Sequence, residues 1–361
     1  MMLDRKLTRR AWLAGVAGAA GAAFTRASPV REYERGGMVY RRLGRTDIDL
    51  SLLSFGSHTD PADRIKIGRL GTVLTEAGQA RRDRIIARAF DHGVNLLDVY
   101  VNEGQLEPAA RLVRERRSRV LVSMAHDFTP DGIDRACRAF GHVDLHRFHT
   151  PEIDGRALAD WDILRKAKAA GKVRAIGLAT HVEKCMETAL DELEGIDFIF
   201  FPYNFIHARA DYSSFLPKAI ERGVGLIAMK PLASGSLVQL DPYAHAGAAP
   251  ERAKIELWKR GAKPLMPSVV AELTKSLGRT PDDTLCMAAM RFVYSRQFIH
   301  SAITGMFDER WLDDNYQALE TYKEFKGEQE MALRGTAEKL RKLGSNWLPT
   351  EYRWLDREWR A

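Results

Sequence analysis

The sequence predicts an α/β protein, a (β/α)8 barrel of the TIM type, and three observations lead to this fold class. From residue 52 onward, about eight short apolar runs alternate with longer segments of helical period, which is the number of units in such a barrel. The runs are apolar throughout, as parallel strands covered on both faces are. SFGSHTDP follows the first run and is not the glycine-rich fingerprint that an open doubly wound sheet would carry there.

Between the predicted strands lie segments whose apolar residues have helical spacing. The predicted strands are 52–56, 94–98, 120–123, 144–149, 173–178, 198–201, 225–229 and 301–304. The predicted helices are 82–92, 107–116, 131–140, 158–170, 182–192, 215–222 and 267–277. A hairpin with strands 38–42 and 49–52 precedes the barrel and is expected to close its lower end. The barrel is predicted over 38–319, and a helical, aromatic tail over 320–361.

The first 27 residues have the pattern of a targeting segment. Arg9 and Arg10 precede a weakly apolar Ala/Gly-rich run, which ends in small residues near Ala27. This pattern predicts a twin-arginine export signal. It implies passage through export machinery, a location in the periplasm or otherwise outside the cytoplasm, and no stable membrane insertion after processing. A membrane-anchoring helix is the alternative, but the run from Ala11 to Phe24 is short for a bilayer span.

The charge distribution disfavours a nucleic-acid partner, and the cysteine spacing disfavours a metal site. The chain has 361 residues, of which 45% are hydrophobic and 29% charged, and its formal net charge is +7. Five basic residues and one acid within residues 1–27 contribute four of those charges. The other basic residues are scattered among acids, so a nucleic-acid partner, which needs a concentrated basic face, is not expected. Cys137, Cys185 and Cys286 have no metal-ligand spacing, and no metal site is predicted.

Polar residues at the carboxyl ends of the predicted strands are the candidates for chemistry, because these ends converge on one mouth of a barrel. They are Asp98, His149, Thr180, Tyr203 with Asn204, Lys230 and the pair Thr304-Gly305. A histidine that ends a strand beside a strand-end carboxylate indicates a functional site more strongly than a histidine on a helix face. We therefore expect Asp98 and His149 to share one mouth and one ligand.

Several motifs, in order along the chain, resemble those of the aldo-keto reductase superfamily, of which this chain would be a divergent member. They are MVYRRLGRTDIDLSLLSFG, GVNLLD, DLHRFH, GKVRAIGLATH, the PYN of FFPYN, MKPLASG and ITGMFDERWLDDN, between Met38 and about Leu319. The resemblance implies a (β/α)8 barrel, NADP(H) or NAD(H) as cofactor, and reversible reduction of a carbonyl group to an alcohol. The substrate is then expected to be a small carbonyl or sugar-like molecule.

The acid–base residues of that family are only partly present. Family members use an aspartate, a tyrosine five residues later, a lysine ending the third strand and a histidine ending the fourth, and the tyrosine donates a proton to the carbonyl oxygen. Asp98 corresponds to the aspartate and His149 to the histidine. Glu103 stands at the tyrosine's position, and the third strand ends Ser123-Met124-Ala125 without a lysine. Tyr100 would serve as donor only if the loop shifted by three residues, which we do not expect.

Glu103 is therefore the candidate proton donor. Burial in an apolar mouth and the like charge of Asp98 would raise the pKa of such a carboxyl group, so it could remain protonated and donate. The alternative is that Glu103 is solvated, or paired with an arginine or with His149, and that carbonyl reduction has been lost.

The resemblance also implies where a dinucleotide would bind. The implied cofactor-binding residues are Thr180, Tyr203, Lys230, Pro231, Leu232, Gly305, Met306 and Asn315. Tyr203 would carry or neighbour the aromatic face under the nicotinamide. Four positions depart from the family pattern. Ala179-Thr180 stands where relatives have a Ser-Asn pair, Phe200 where they have a glutamine, and Phe307 where many have a basic residue that binds the 2′-phosphate.

Two function hypotheses follow. The first is an exported oxidoreductase that interconverts carbonyl and alcohol groups with altered acid–base residues. The alternative is a barrel of the same family that binds such a ligand, or acts on it by acid–base chemistry, without redox chemistry.

Overall fold

The computed structural model describes residues 30–69, 71–208, 211, 213–240, 248–277, 280, 282–325 and 327–360. The predicted export signal at 1–27 lies outside the described residues. Within the described part of the chain, no helix is both long enough and apolar enough to cross a membrane.

A three-stranded antiparallel sheet closes the lower end of the barrel. Its strands are β1 (Glu32–Arg35), β2 (Met38–Arg42) and β3 (Asp49–Ser51). Leu43, Ile48 and Leu50 of this sheet and its turn pack against Leu96 and Leu145 inside the barrel. The predicted N-terminal hairpin is confirmed, and β1 adds a third strand to it.

Eight of the following ten strands form a closed parallel barrel. The strands are β4 (Leu53–Phe55), β5 (Arg64–Ile67), β6 (Gly71–Leu74), β7 (Leu96–Tyr100), β8 (Leu121–Ala125), β9 (Val143–His149), β10 (Val173–Ala179), β11 (Phe198–Pro202), β12 (Gly225–Met229) and β13 (Ser301–Thr304). β5 and β6 form a small antiparallel hairpin outside the barrel, and β13 pairs with β4 to complete the ring. The predicted (β/α)8 fold is confirmed.

Helices connect the strands and cover the outside of the barrel. They are α1 (Glu76–Asp91), α2 (Leu106–Val113), α3 (Pro130–Phe140), α4 (Gly155–Ala169), α5 (Glu183–Glu192), α6 (Phe215–Glu221), α7 (Ala248–Lys259), α8 (Pro267–Leu277), α9 (Leu285–Tyr294), α10 (Glu309–Thr321), α11 (Glu328–Lys342) and α12 (Leu355–Arg360). Thr75, Thr129 and Asp154 begin α1, α3 and α4 by accepting a backbone N–H of the first turn, the ordinary role of an N-cap residue. The predicted helical tail is formed by α11 and α12.

Strand alternation decides which side chains of β7 enter the barrel. Leu96 belongs to the inner apolar cluster, whereas Leu97 and Val99 belong to the outer cluster beneath the helices. Asp98 and Tyr100 therefore face inward, and Tyr100 lies one layer nearer the mouth.

The strand register aligns these inward-facing layers of β7 with those of the next two strands, β8 and β9. Asp98 pairs with Ser123, Tyr100 pairs with Ala125, and Ala125 pairs in turn with Arg147. Adjacent residues in a parallel sheet point to the same side. The layer at the mouth therefore contains Tyr100, Ala125 and Arg147.

Candidate active site

A buried ion pair lies beneath the mouth. Arg147 donates to both carboxylate oxygens of Asp98, with Nη1–Oδ1 at 2.7 Å and Nη2–Oδ2 at 2.8 Å, and to Ser123 Oγ at 2.7 Å. The guanidinium also lies 4.0 Å from the centroid of the Phe200 ring. Burial disfavours the charged guanidinium, but Asp98 and then Tyr100 outweigh burial and raise the pKa of Arg147. The pair is a bidentate contact between a guanidinium and a carboxyl group.

Arg147 supplies a cation beside Asp98 from a different strand than the family's lysine. The inward residues at the end of β8 are Ser123 and Ala125, both small. Met124 is 1% exposed and packs in the outer cluster, so a lysine introduced there would enter the apolar layer under the helices. The small side chains of β8 leave room for Arg147 to reach from β9 to Asp98.

Tyr100 lies above the ion pair and is partly exposed. Its ring meets the rings of His58 and His126 edge to face, each at 5.1 Å between centroids. Burial and the charge of Arg147 lower the pKa of His126, so this ring is neutral at pH 7. The family spacing of five residues after the aspartate selects Glu103 and not Tyr100. Strand alternation, by contrast, places Tyr100 directly above Asp98.

Glu103 does not have the raised pKa that the sequence predicted. Its carboxylate accepts hydrogen bonds from Thr59 N at 2.7 Å, Thr59 Oγ1 at 2.6 Å and Arg64 Nη2 at 3.1 Å, and a further one joins it to His58 Nδ1 at 3.0 Å. Burial alone would raise the pKa, but these partners outweigh burial and lower the pKa of Glu103 to about 2. The prediction of a protonated Glu103 donor is therefore wrong, because the ionised carboxylate has no proton to give.

Glu103 instead holds the loop that follows β4 in place through its hydrogen bonds to His58 and Thr59. Arg82 holds the same loop from α1, donating to the three carbonyl oxygens of residues 56–58 at 3.1 to 3.3 Å. Burial lowers the pKa of Arg82 to about 10, and the side chain remains charged at neutral pH. Together the two contacts keep His58 beside Tyr100.

His149 is the last residue of β9, so it lies at the same barrel mouth as the carboxyl end of β7, as predicted. It does not share a ligand with Asp98, because both Asp98 oxygens are bonded to Arg147. His149 Nε2 lies 3.1 Å from His181 Nδ1 in a hydrogen bond. Burial and neighbouring positive charge, including that of Lys230, lower the pKa of His149 to about 4 and that of His181 to about 2. Both rings are neutral at pH 7.

The C-terminal tail covers one side of the mouth. Lys230 Nζ lies 4.6 Å from the centroid of the Tyr352 ring, the hydroxyl groups of Ser234 and Tyr352 are hydrogen-bonded, and the Trp354 ring lies 5.6 Å from that of His181. Lys230 and Ser234 have φ angles of 58° and 55°, a region that non-glycine residues rarely occupy and that is frequent at functional sites. The tail therefore contributes aromatic groups to the site.

Most of the implied cofactor-binding residues come after two neighbouring strands. Lys230, Pro231 and Leu232 lie in the loop after β12, Gly305 and Met306 lie in the loop after β13, and Asn315 lies on α10, which follows that loop. Across the described residues, the buried side-chain oxygens that have no hydrogen-bond partner include Ser236 Oγ, Thr304 Oγ1 and Asn315 Oδ1. Buried polar atoms are normally hydrogen-bonded, so these three oxygens are available to a ligand bound along the loops.

Tyr203 and Thr180 are turned into the protein. Tyr203 packs in the outer apolar cluster and its hydroxyl donates to Asp211. Because alternation on β11 turns Phe200 inward, Tyr203 lies behind the barrel wall. Tyr203 therefore does not itself present an aromatic face under a nicotinamide, and the other half of the prediction, that it neighbours such a face, stays a prediction. Thr180 is fully buried, and its hydroxyl accepts the backbone N–H of Val182 at 3.2 Å.

Sequence reasoning missed Arg147, His126 and His181. Arg147 had a readable signal, because it lies two residues before His149 on one strand, and a period of two places both on one face. His126 and His181 occupy loops beyond their strands, and His126 has a φ angle of 63°. A strand pattern carries no information about where such loop side chains point.

The family profile described as "Aldo/keto reductase family" matches residues 69–333. The chain belongs to the aldo/keto reductase family. This aldo/keto reductase is 25% identical to a probable voltage-gated potassium channel subunit beta of Arabidopsis thaliana, over 78% of this chain and 92% of that protein.

Two further relatives are named as enzymes. The chain is 27% identical to a D-threo-aldose 1-dehydrogenase of Pseudomonas sp, over 54% of this chain and 59% of that protein. It is 22% identical to an L-glyceraldehyde 3-phosphate reductase of Escherichia coli O157:H7, over 79% of this chain and 88% of that protein.

Solved structures share the fold of this aldo/keto reductase. The apo and holo forms of aldo-keto reductase AKR11C1 from Bacillus halodurans have TM-scores of 0.60 and 0.59, at 19% and 18% sequence identity. Both comparisons cover 87% of this chain and 98% of the other. At this identity the likeness shows the barrel alone.

Proposed function

We propose that this aldo/keto reductase catalyses the nicotinamide-dependent interconversion of a carbonyl group and an alcohol in an aldose or a similar sugar-like molecule. The buried Asp98–Arg147 pair beneath the partly exposed Tyr100 carries the proposal. A fixed charge pair that needs no rearrangement is the arrangement that stabilises charge developing on a carbonyl oxygen. Two relatives support the substrate class by name, an aldose dehydrogenase and a glyceraldehyde 3-phosphate reductase.

The dinucleotide that the family uses fits the loops after β12 and β13. The unpaired buried oxygens of Ser236, Thr304 and Asn315 are acceptors for its hydroxyl and amino groups, and Lys230 brings positive charge to the same side of the mouth. When bound, the reduced nicotinamide supplies the hydride. Phe307 packs on Trp311 at 5.4 Å between ring centroids and has no charged donor for a 2′-phosphate.

Binding of NADH and NADPH to the purified chain, followed by tryptophan fluorescence, tests the cofactor. We expect both to bind with similar affinity, because Phe307 makes no charge-assisted hydrogen bond to the 2′-phosphate. Phe307→Arg should then strengthen NADPH binding relative to NADH by about tenfold or more, the value of a hydrogen bond to a charged group. Phe307→Leu, the matched control, should leave the ratio unchanged. Binding of neither dinucleotide would contradict the redox function and favour the non-redox alternative.

Turnover is measured with D-threose, the smallest D-threo-aldose, by the absorbance change of the nicotinamide in both directions. We expect turnover with the dinucleotide that binds. A protein that binds a dinucleotide but leaves D-threose unchanged would contradict the aldose class while keeping the redox class.

Export by the twin-arginine route is a separate part of the proposal, based on Arg9 and Arg10 before the Ala/Gly-rich run. Arg9→Lys combined with Arg10→Lys is expected to retain the protein in the cytoplasm, as measured by cell fractionation and immunoblotting. Arg26→Lys, outside the pair, should leave export intact. Recovery of the doubly substituted protein from the periplasm would contradict this route.

A further inference from the structure

We propose that Tyr100 is the proton donor of this site, acting above an Asp98–Arg147 pair drawn from two strands. The inference rests on the proposed carbonyl chemistry and names the residue that gives the proton. The family's five-residue spacing after Asp98 had pointed to Glu103 as the proton donor instead of Tyr100.

The register brings Tyr100 and Arg147 to opposite sides of one small residue. Tyr100 pairs with Ala125, and Ala125 pairs with Arg147. Neighbouring strands lie about 4.8 Å apart, so the two backbones are separated by roughly 10 Å. Two long inward side chains cross that distance over the methyl group of Ala125, and the Tyr100 side chain interacts with the Arg147 guanidinium.

The surroundings of Tyr100 fix the direction of its ring. The His58 and His126 rings contact it edge to face. His58 is in turn hydrogen-bonded to Glu103, 3.0 Å away. The phenol is therefore held by packing, and it remains partly open to the mouth.

The other acid candidates at the mouth are unsuited to giving a proton at neutral pH. Glu103 is ionised, with a pKa lowered to about 2 by its hydrogen-bond donors and charged partners. His149 and His181 are neutral and hydrogen-bonded to each other. The Tyr100 hydroxyl is the remaining candidate at the mouth, and its side chain is of the type that donates a proton in general acid catalysis.

In the proposed reaction, the carbonyl carbon receives a hydride and the carbonyl oxygen receives a proton from Tyr100. As the carbonyl carbon gains a hydride with its electron pair, the π electrons of the C=O bond move onto the oxygen. The Tyr100 O–H bond breaks and its proton bonds to that oxygen, which completes the alcohol with oxidation of the dinucleotide. The phenolate that remains faces the Arg147 cation and regains a proton from solvent at the open side of the mouth.

Tyr100→Phe removes the hydroxyl and keeps the ring that packs against the two histidines. We expect kcat for reduction of the D-threose carbonyl to fall by about 100- to 10,000-fold, the usual contribution of a general acid. Dinucleotide affinity, KM and the unfolding midpoint should be nearly unchanged. Tyr33→Phe, on the strand sheet at the opposite end of the barrel, is the matched control and should keep the parent's kcat.

Contact between Tyr100 and the ligand can be measured without turnover by NMR of protein that carries 13C-labelled tyrosine. The chain has ten tyrosines. The resonance that is missing from Tyr100→Phe is expected to shift when D-threose is added. A Tyr100→Phe variant with the parent's kcat, or a Tyr100 resonance that D-threose leaves in place, overturns the inference. If the parent binds no dinucleotide, the proposed redox function fails, and the NMR shift alone decides whether Tyr100 contacts a carbonyl ligand.

Discussion

Arg147→Met is expected to lower the free energy of unfolding by about 3 to 5 kcal/mol, because it leaves a buried carboxylate without its partner. Asp98 and Arg147 side chains are each 3% exposed, so water does not replace the lost contact. The same substitution should abolish turnover, since the cation beneath Tyr100 is removed. Equilibrium unfolding in denaturant measures the first effect, and nicotinamide absorbance with D-threose measures the second.

The double variant Asp98→Leu with Arg147→Met separates stability from chemistry. An apolar pair of similar volume often restores the stability that a broken buried ion pair loses, so most of the unfolding free energy should return. Activity should not return, because neither charge is present. A single Arg147→Met variant as stable as the parent would contradict the buried ion pair.

Glu103→Gln is expected to lower the free energy of unfolding by about 3 kcal/mol at pH 7. The fold lowers the pKa of Glu103 from 4.5 to about 2, and each unit of such a shift corresponds to about 1.4 kcal/mol. A glutamine amide has one acceptor oxygen, and its NH2 group would face the donors of Thr59 and Arg64. Glu107→Gln, an exposed position on the next helix, is the matched control and should change stability by less than about 0.5 kcal/mol.

The effect of Glu103→Gln should depend on pH with a definite sign. The folded-state pKa of about 2 lies below the unfolded value of 4.5, so the contribution of the carboxylate is complete above about pH 5 and is lost as the pH falls toward 2. The difference in unfolding free energy between parent and variant should therefore narrow on acidification. A variant that loses activity but keeps the parent's stability at every pH would contradict the structural role and restore Glu103 as the acid.

The sequence alone determined the barrel and the order of its strands, whereas β7 and β8 each end two residues later than predicted. Burial of parallel strands on both faces requires continuous apolar runs, and those runs are written locally in the chain. The predicted strand at 225–229 coincides with β12 (Gly225–Met229), and the one at 301–304 with β13. The placement of Asp98 and His149 at one mouth followed from the same pattern, because strand ends converge in a barrel.

The tertiary structure alone decided which groups act on one another. The partner of Asp98 is 49 residues away in sequence, and the donors that ionise Glu103 lie 39 to 45 residues away. Pairing and pKa depend on distances of about 3 Å in space, which a local pattern does not encode. The direction of Tyr203 also depended on alternation beyond the last paired residue of β11. The closed barrel therefore surrounds Glu103 with hydrogen-bond donors and brings Asp98, Arg147 and Tyr100 together.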